Sequence, residues 1–219
     1  MNDSIKRFIE ENIDLIEDNQ WEEVYKKATD ELINSCGKFT EVMLSTDIHP
    51  DKYLSDLPTY FLCGSDVSKF RIPSNIKSIG RLAFAYCKSL TSITIPDSVT
   101  SIGDDAFRGC SSLASVTIGN SVTNIGEWAF AYCERLIRVS IPSSVTSIEE
   151  SAFYGCKSLT NVLIENPEIT LSTDVFQYCD NPDIQFAGTK NQWKIIAKDK
   201  FSGVTYTCTC SDGVIKKSR

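Results

Sequence analysis

Phenylalanine recurs every 23 residues through the middle of the chain, and cysteine recurs 3 positions after each phenylalanine. Isoleucine, alanine and leucine keep the same interval in columns of their own, so the period does not depend on one residue type. Several independent columns with one period indicate a solenoid, in which each unit buries its apolar face against its neighbours. The predicted structural ladder consists of Phe84, Phe107, Phe130, Phe153 and Phe176, with Cys87, Cys110, Cys133, Cys156 and Cys179.

Each unit reads L-x-x-I-x-I-P-x-x-V-x-x-I-G-x-x-A-F-x-x-C-x-x, which predicts two short extended segments joined by turns. Apolar and polar residues alternate over 89–96, as is typical of a half-buried strand. Pro96 ends this strand because proline has no N–H for a sheet hydrogen bond, and Gly103 marks a turn. Ala106 and Phe107 then form a short turn or 3₁₀ segment with the ring pointing inward. The predicted fold is therefore a mainly β solenoid.

These columns resemble the BspA-like subclass of leucine-rich repeats, a class common in bacterial surface proteins, in about five units over 67–186. The resemblance implies a leucine-rich-repeat solenoid that binds a protein partner without catalysing a reaction. The family also contains surface factors of the adhesin type that interact with a host, so this alternative stays open. The sequence departs from the pattern at Gly119 in the proline column and Glu149 in the glycine column. Near its end Pro182 replaces a leucine, and Ile184 is one residue out of step.

The segment 1–66 carries no repeat and is predicted to form a small α-helical N-terminal cap or head. Ile5, Phe8 and Ile9 begin an apolar pattern with helical spacing, and acidic residues lie on the opposite side. One interpretation is that these helices close the first open edge of the solenoid. The other is that they form a binding head, through which the chain would act as an effector or inhibitor from a mobile element.

The segment 187–219 also lies outside the repeat and is predicted to cap the other end of the solenoid. It is similar to a closing segment that often follows such repeats, with a G-T-K-x-x-W core from Gly188 to Trp193. We expect a short helix over 192–197 that packs Trp193 onto the last coil, followed by a strand over 204–210. The turn and the charged side chains at the end are expected in solvent: Asp212-Gly213, Lys216, Lys217 and Arg219.

Nine cysteines beside a single histidine raise the question of disulfides, metal or packing. Stacked coils lie about 4.8 Å apart, which brings equivalent cysteines into disulfide range. Five ladder members cannot all pair, however, and their side chains point the same way, so buried thiols that pack as small apolar groups are predicted. Cys208 and Cys210 share a face of the predicted strand, but two sulfurs do not complete a tetrahedral zinc site. With Cys36 and Cys63, they are expected to react more readily than the ladder thiols.

The sequence lacks the common motifs of catalysis and cofactor binding, such as a P-loop, a G-x-G-x-x-G after a strand or a G-x-S-x-G. His49 lies between Asp47 and Asp51, and two carboxylates beside a histidine can hold a metal or orient a base. A proline in this stretch fixes a turn, however, and the loop interpretation is favoured. A nucleophile pair of His49 with Cys36 or Cys63 has only nearness in sequence in its support. We therefore predict no enzyme, no cofactor and no metal.

The net charge of −7 argues against a nucleic-acid partner, because such binders need excess lysine and arginine to displace counterions. No apolar run approaches the roughly 20 residues of a membrane-spanning helix. Residues 1–20 contain acidic residues throughout and no continuous apolar stretch, unlike a secretory signal. A cytoplasmic location is expected, and a secreted or surface location would require a signal outside this sequence.

The surface of the solenoid is then the candidate functional feature. In each repeat strand, the positions between the buried residues face outward on the predicted concave sheet, and most are short and polar. Lysine or arginine occupies 3 of them and an acid none, which favours a protein partner with an acidic surface. The alternative is that serine and threonine simply suit an exposed strand. The predicted partner-binding residues are Lys69, Arg71, Ser92, Thr94, Ser115, Thr117, Arg138, Ser140, Asn161 and Leu163.

Overall fold

The computed structural model describes residues 55–57, 59, 61–201 and 203–217, and over these the chain winds into a β-solenoid. Successive coils contribute strands to two sheets, and one continuous cluster of buried side chains fills the interior. The predicted N-terminal helices, with Cys36 and His49, lie outside the described residues. Within the described part of the chain, no helix has the length and apolar content that crossing a membrane requires.

One sheet consists of 6 two-residue strands that pair in parallel, one from each coil. The second residue of each strand is aliphatic and buried, as at Ile79 and Ile102, because it points into the core. From β2 onward the paired residues are one repeat apart, so that Ser78 lies beside Ser101. The strands are β1 (Asp56–Leu57), β2 (Ser78–Ile79), β4 (Ser101–Ile102), β6 (Asn124–Ile125), β8 (Ser147–Ile148) and β10 (Thr170–Leu171).

The other sheet has 7 strands in the order β3-β5-β7-β9-β11-β12-β13, all parallel except for the antiparallel pair β12 and β13. Its register follows the repeat as far as β9. Beyond β9 the paired residues are no longer 23 apart: Ile184 lies beside Val162 on one side and beside Cys208 on the other. The strands are β3 (Ser92–Thr94), β5 (Ser115–Thr117), β7 (Arg138–Ile141), β9 (Asn161–Ile164), β11 (Asp183–Phe186), β12 (Tyr206–Cys210) and β13 (Gly213–Lys217).

The solenoid extends beyond the predicted repeat region at both ends. At the N-terminal end, β1 lies within the stretch 1–66, and the Phe61 ring packs edge-on against Phe84 with 6.2 Å between centroids. At the C-terminal end, β12 and β13 lengthen the same sheet. The closing helix α1 spans Lys190–Ile196 and begins slightly earlier than predicted, because the Thr189 side chain caps its first turn.

Trp193 anchors α1 to the end of the solenoid, as the sequence predicts. It is fully buried, with its ring 5.3 Å from Phe186 and 5.5 Å from Phe201. Its indole Nε1 donates a hydrogen bond to the Tyr206 hydroxyl at 3.3 Å, which satisfies the one polar atom of the ring. Lys217 is exposed and donates a hydrogen bond to the Phe201 carbonyl. This bond attaches the antiparallel pair β12 and β13 to the Phe201 region that also contacts Trp193.

The phenylalanine column forms a continuous stack through the core. Rings in neighbouring coils from Phe84 to Phe176 lie 5.0 to 5.6 Å apart and are nearly parallel. All 5 rings are fully buried, and Phe201 continues the stack 5.8 Å beyond Phe176. Burying one such ring stabilises a fold by about 1.5–3 kcal/mol. The stack therefore holds each coil against the next.

The cysteine column supplies hydrogen bonds as well as packing. The Cys110 thiol donates to the carbonyl oxygen of Phe84 in the preceding coil at 3.0 Å, and the equivalent bonds in the next 3 coils measure 3.1 to 3.3 Å. Burial raises the pKa of the Cys133 and Cys156 thiols, and it raises the pKa of Cys179 to about 12. The thiols therefore stay protonated and keep donating at neutral pH.

Cys208 and Cys210 share the inner face of β12, with 3.7 Å between their sulfur atoms. They are 0% and 7% exposed and belong to the same apolar cluster as Trp193. The expectation of reactive thiols at these two positions therefore disagrees with the structure, because the alternating pattern turns both sulfurs toward the core. Among the described residues, no group of three or more side chains is arranged to hold a metal ion.

Candidate interaction surfaces

The structure places 8 of the 10 predicted partner-binding residues on strands of the seven-stranded sheet, with Lys69 and Arg71 just ahead of its first strand, and all 10 are exposed. Strand pairing brings them into two adjacent rows, and an isolated bridge to Ser92 attaches Lys69 ahead of the first strand. One row is Lys69, Ser92, Ser115, Arg138 and Asn161. The other is Arg71, Thr94, Thr117, Ser140 and Leu163.

Three further strands extend these rows beyond the residues that the repeat pattern identifies. Strand β11 adds Asp183 and Gln185, and β12 adds two threonines. In β13, Lys216 lies opposite Thr207, and an exposed valine ends the second row. The repeat columns could not reveal these positions, since the spacing changes after β9. The sheet face as a whole therefore contains one acid, Asp183, within its strands.

The electrostatic character of this face differs from that of the whole chain. It carries the basic side chains of Lys69, Arg71, Arg138 and Lys216, whereas the chain has a net charge of −7. Glu165 follows β9 directly and accepts a hydrogen bond from the Ser140 hydroxyl at 3.5 Å. The remaining exposed groups are mainly hydroxyls and amides, which bind through hydrogen bonds. In the part of the chain that the structure describes, no histidine accompanies these hydroxyls to activate one as a nucleophile.

A second surface carries exposed and half-buried aromatic side chains on the turns that precede the cysteine column. We call it the aromatic patch. Tyr132 and Tyr154 lie at its centre, 5.4 Å apart between ring centroids, and Trp128 lies 4.9 Å from Tyr154. Tyr178 packs 4.9 Å from Tyr154 on the other side, yet 61% of its surface is exposed. The patch comprises Tyr86, Arg108, Trp128, Tyr132, Tyr154 and Tyr178.

Three of these tyrosines adopt a backbone conformation that favours glycine. Tyr86, Tyr132 and Tyr178 each have φ of 58°, and the equivalent residues of the two intervening coils are Gly109 and Gly155, at 71° and 69°. A left-handed conformation costs a residue with a side chain about 1–2 kcal/mol. The glycines also make room, because a Cβ at Gly109 would lie 2.6 Å from the Tyr86 ring. Alternate coils thus hold an exposed tyrosine over the glycine of the next coil.

Arg108 contacts two rings of the patch, Trp128 and Tyr132. Its guanidinium lies 4.9 Å above the Trp128 ring and 5.8 Å from that of Tyr132, both within cation–π range. Asp105 holds it through a 3.0 Å ion pair, and Asp105 also lies 3.7 Å from Arg81. Burial lowers the pKa of Arg108, but the bond to Asp105 raises it and the net shift is upward. The arginine is therefore a fixed cation over two rings of the patch.

An acidic row borders the patch on the side of Trp128. Its members occupy equivalent positions in three coils and are exposed: Asp104, Glu127 and Glu150. The Glu127 carboxylate accepts a hydrogen bond from the Trp128 indole at 3.0 Å, and the Asp104 carboxylate accepts one from the Glu127 backbone at 3.0 Å. On the opposite side, Lys157 pairs with Glu134 at 2.7 Å, so charges there are balanced. The patch is thus aromatic at its centre and negative along one edge.

Comparison with known proteins identifies the repeat. Residues 55–183 match the BspA type leucine rich repeat region in 6 copies, so the match begins before the predicted start of the repeats at residue 67. No curated protein matches the chain.

Solved structures give the same result. A leucine rich cell surface protein from Faecalibacterium prausnitzii A2-165 is 33% identical over 64% of this chain and 37% of its own, with a TM-score of 0.57. A leucine rich repeat protein of T. pallidum is 24% identical over 58% of this chain and 61% of its own, with a TM-score of 0.53. One from Bacteroides ovatus ATCC 8483 is 23% identical over 68% and 44%, with a TM-score of 0.51. The latter two show the fold alone, and this chain spans less than two thirds of each protein.

Proposed function

The chain belongs to the BspA type leucine rich repeat family, and on this premise we propose that it is a non-catalytic protein-binding module. The partner binds the outer face of the seven-stranded sheet and presents an acidic surface. One observation carries the proposal: 4 basic side chains and a field of short polar ones share this face, although the whole chain is acidic.

The physical properties of the face suit a protein ligand. Serine and threonine side chains have few rotamers to lose when a partner covers them. The strands hold these side chains in fixed rows, so binding requires little rearrangement of the backbone. The basic groups would attract an acidic partner during the encounter and fix its orientation in the complex. Such electrostatic attraction weakens as salt is added.

Reversal of the charge at Arg71 and Arg138 tests the proposal. A partner is first captured from cells of the native host with the unaltered chain, then purified, and its affinity is measured by calorimetry. Arg71→Glu combined with Arg138→Glu should weaken that complex about tenfold or more, and the loss should shrink at high salt. The melting temperature should not change, because both side chains are exposed.

The matched control makes the same change in charge elsewhere. Lys77→Glu combined with Lys194→Glu alters two exposed lysines that lie off the sheet face. This variant should bind the partner as the unaltered chain does, since only the overall charge has changed. If both double variants lose affinity equally, the effect comes from net charge and the sheet face is not the binding site.

A second candidate, a surface factor of the adhesin type, is favoured by the similarity to the F. prausnitzii cell surface protein. We propose a cytoplasmic location for the protein-binding module, whereas a surface factor would act outside the cell. Fractionation of the native host with an antibody against residues 55–217 separates them. Antigen in the soluble cytoplasm supports the cytoplasmic module, whereas antigen on intact cells that external protease removes supports the surface factor.

A further inference from the structure

The aromatic patch repeats with twice the period of the solenoid. The fold repeats in every coil, but exposed tyrosines in the left-handed conformation occur only in alternate coils, at Tyr86, Tyr132 and Tyr178. Glycine fills the same position in the coils between them and satisfies the backbone without strain. The left-handed conformation itself belongs to the turn, because a second turn position adopts it in every coil, as at Leu82 and Ser151. The exposed ring is what sets these three tyrosine positions apart. The core does not require these tyrosines.

The spacing of the tyrosines indicates what they contact. Neighbouring coils lie 5.0 to 5.6 Å apart at the adjoining phenylalanine column, so alternate coils are separated by about 10–11 Å. A polyproline II helix presents one face every third residue, about 9.3 Å along its axis. A β-strand presents one face every second residue, about 6.7 Å along its axis. The tyrosine spacing is closer to the repeat of polyproline II than to that of a β-strand. The seven-residue repeat of an α-helix, about 10.5 Å, fits the spacing as well, so the composition and charge of the patch decide between these two conformations.

The composition and charge of the patch favour the polyproline II conformation. Aromatic surfaces are the usual docking sites of proline-rich segments, because a ring packs flat against the pyrrolidine. The acidic row of Asp104, Glu127 and Glu150 covers the three central coils and offers partners to basic residues placed between the prolines. Arg81 holds the equivalent position in the coil of Tyr86, so the row ends before that coil. The same row, with the net charge of −7, disfavours a single-stranded nucleic acid, which would otherwise stack on tyrosine and arginine.

We propose that the aromatic patch binds a proline-rich, basic segment of a partner protein in the polyproline II conformation. The segment runs along the axis of the solenoid, and every third residue packs against Tyr86, Tyr132 or Tyr178. Its lysine or arginine side chains face the acidic row. This surface is separate from the outer face of the seven-stranded sheet, so the chain has two independent binding sites.

The test uses the full chain and a labelled peptide of about nine residues with the repeat Pro-Pro-Lys, which forms about three turns of polyproline II. Fluorescence anisotropy should show saturable binding. A peptide with the repeat Gly-Gly-Lys has the same charge but is flexible, and it should bind about tenfold more weakly because it loses more entropy. Equal binding of the two peptides would mean that charge alone is recognised and would refute the proposal.

Two protein variants separate binding from folding. Tyr86→Gly combined with Tyr178→Gly installs the residue that the intervening coils use, so the melting temperature should hold or rise. Binding of the Pro-Pro-Lys peptide should fall about tenfold. Glu150→Lys should weaken binding at low salt but not at high salt. Ile195→Ala removes another exposed apolar side chain, on α1, and should have no effect.

Three results would overturn the proposal. The first is no saturable binding of the Pro-Pro-Lys peptide, and the second is unchanged binding by the double tyrosine variant. The third is tyrosine-dependent binding of soluble oligosaccharides instead of the peptide, which would assign the patch to a glycan. The variant with Arg71→Glu and Arg138→Glu should bind the peptide normally. This result keeps the aromatic patch distinguishable from the sheet face.

Discussion

Replacement of Phe130 by alanine measures how much the central stack contributes to the solenoid. The ring is fully buried and lies 5.1 Å from Phe107 and 5.3 Å from Phe153, both nearly parallel to it. Truncation of a buried phenylalanine to alanine costs about 3–5 kcal/mol in transfer and cavity terms. Two stacked neighbours are lost at once, and each aromatic pair is worth about 0.5–1.5 kcal/mol. We therefore expect Phe130→Ala to lower the free energy of unfolding by about 4–5 kcal/mol, the upper part of this range.

Urea unfolding followed by circular dichroism provides the assay. A domain of ordinary stability has a free energy of unfolding of about 5–15 kcal/mol, so this loss would move the urea midpoint far toward zero denaturant. Because each coil contacts only its neighbours, a central break should also uncouple the two halves of the solenoid. The transition should therefore broaden, with a smaller dependence of unfolding free energy on urea.

The control is Ile195→Ala, which truncates a side chain that is 75% exposed and should change stability by about 0.5 kcal/mol or less. Phe130→Leu, which leaves a smaller cavity, should fall between the two. A loss below about 1 kcal/mol for Phe130→Ala, with an unchanged slope, would refute the argument. It would mean that the backbone ladders rather than the stack hold the coils together.

Three further predictions concern the turns and the thiols. Gly155→Ala should lower the melting temperature more than Gly203→Ala: both glycines have φ near 70°, but only at Gly155 would a Cβ approach a ring, 2.9 Å from Tyr132. In a thiol titration, Cys133 and Cys208 should react only after denaturation, since both are fully buried. Stability should fall above about pH 8.5, the pKa of a thiol in the unfolded chain, because Cys179 keeps its proton up to about pH 12 in the folded protein. The drop in urea midpoint between about pH 8 and pH 10 should be smaller in Cys179→Ala.

The periodic columns predicted the solenoid because the core of a coil depends on a few fixed positions. Phenylalanine, cysteine and the aliphatic residues recur where their neighbours in adjacent coils need them, so sequence spacing and spatial contact coincide. This coincidence ends where the coils change length. Ile184 and Cys208 occupy equivalent places in the sheet, but they are separated by 24 residues rather than 23. The repeat pattern consequently leaves β1, β12 and β13 in the flanking segments.

The candidate surfaces were predictable to different degrees. Alternation in a strand separates inner from outer residues, so the exposed rows of β3 to β9 follow from the sequence pattern. The aromatic patch does not, because its members come from three turn positions whose backbone conformation no column reveals. Tyr86 and Gly109 look unrelated until both are seen in the left-handed conformation. The alternation of tyrosine with glycine was the available signal.

Steric exclusion explains why the tyrosines occur in alternate coils. The Tyr86 ring lies where a Cβ of residue 109 would otherwise sit, and the Tyr132 ring lies where a Cβ of residue 155 would sit. A tyrosine in every coil would therefore place each ring in conflict with the next backbone. One ring per two coils is the densest arrangement that this turn position allows, and the Tyr154 ring enters an intervening coil from the position before it. The fold thus sets the spacing of about 10–11 Å within this column, and a ligand that packs one repeating group against each of Tyr86, Tyr132 and Tyr178 must itself repeat at nearly that distance.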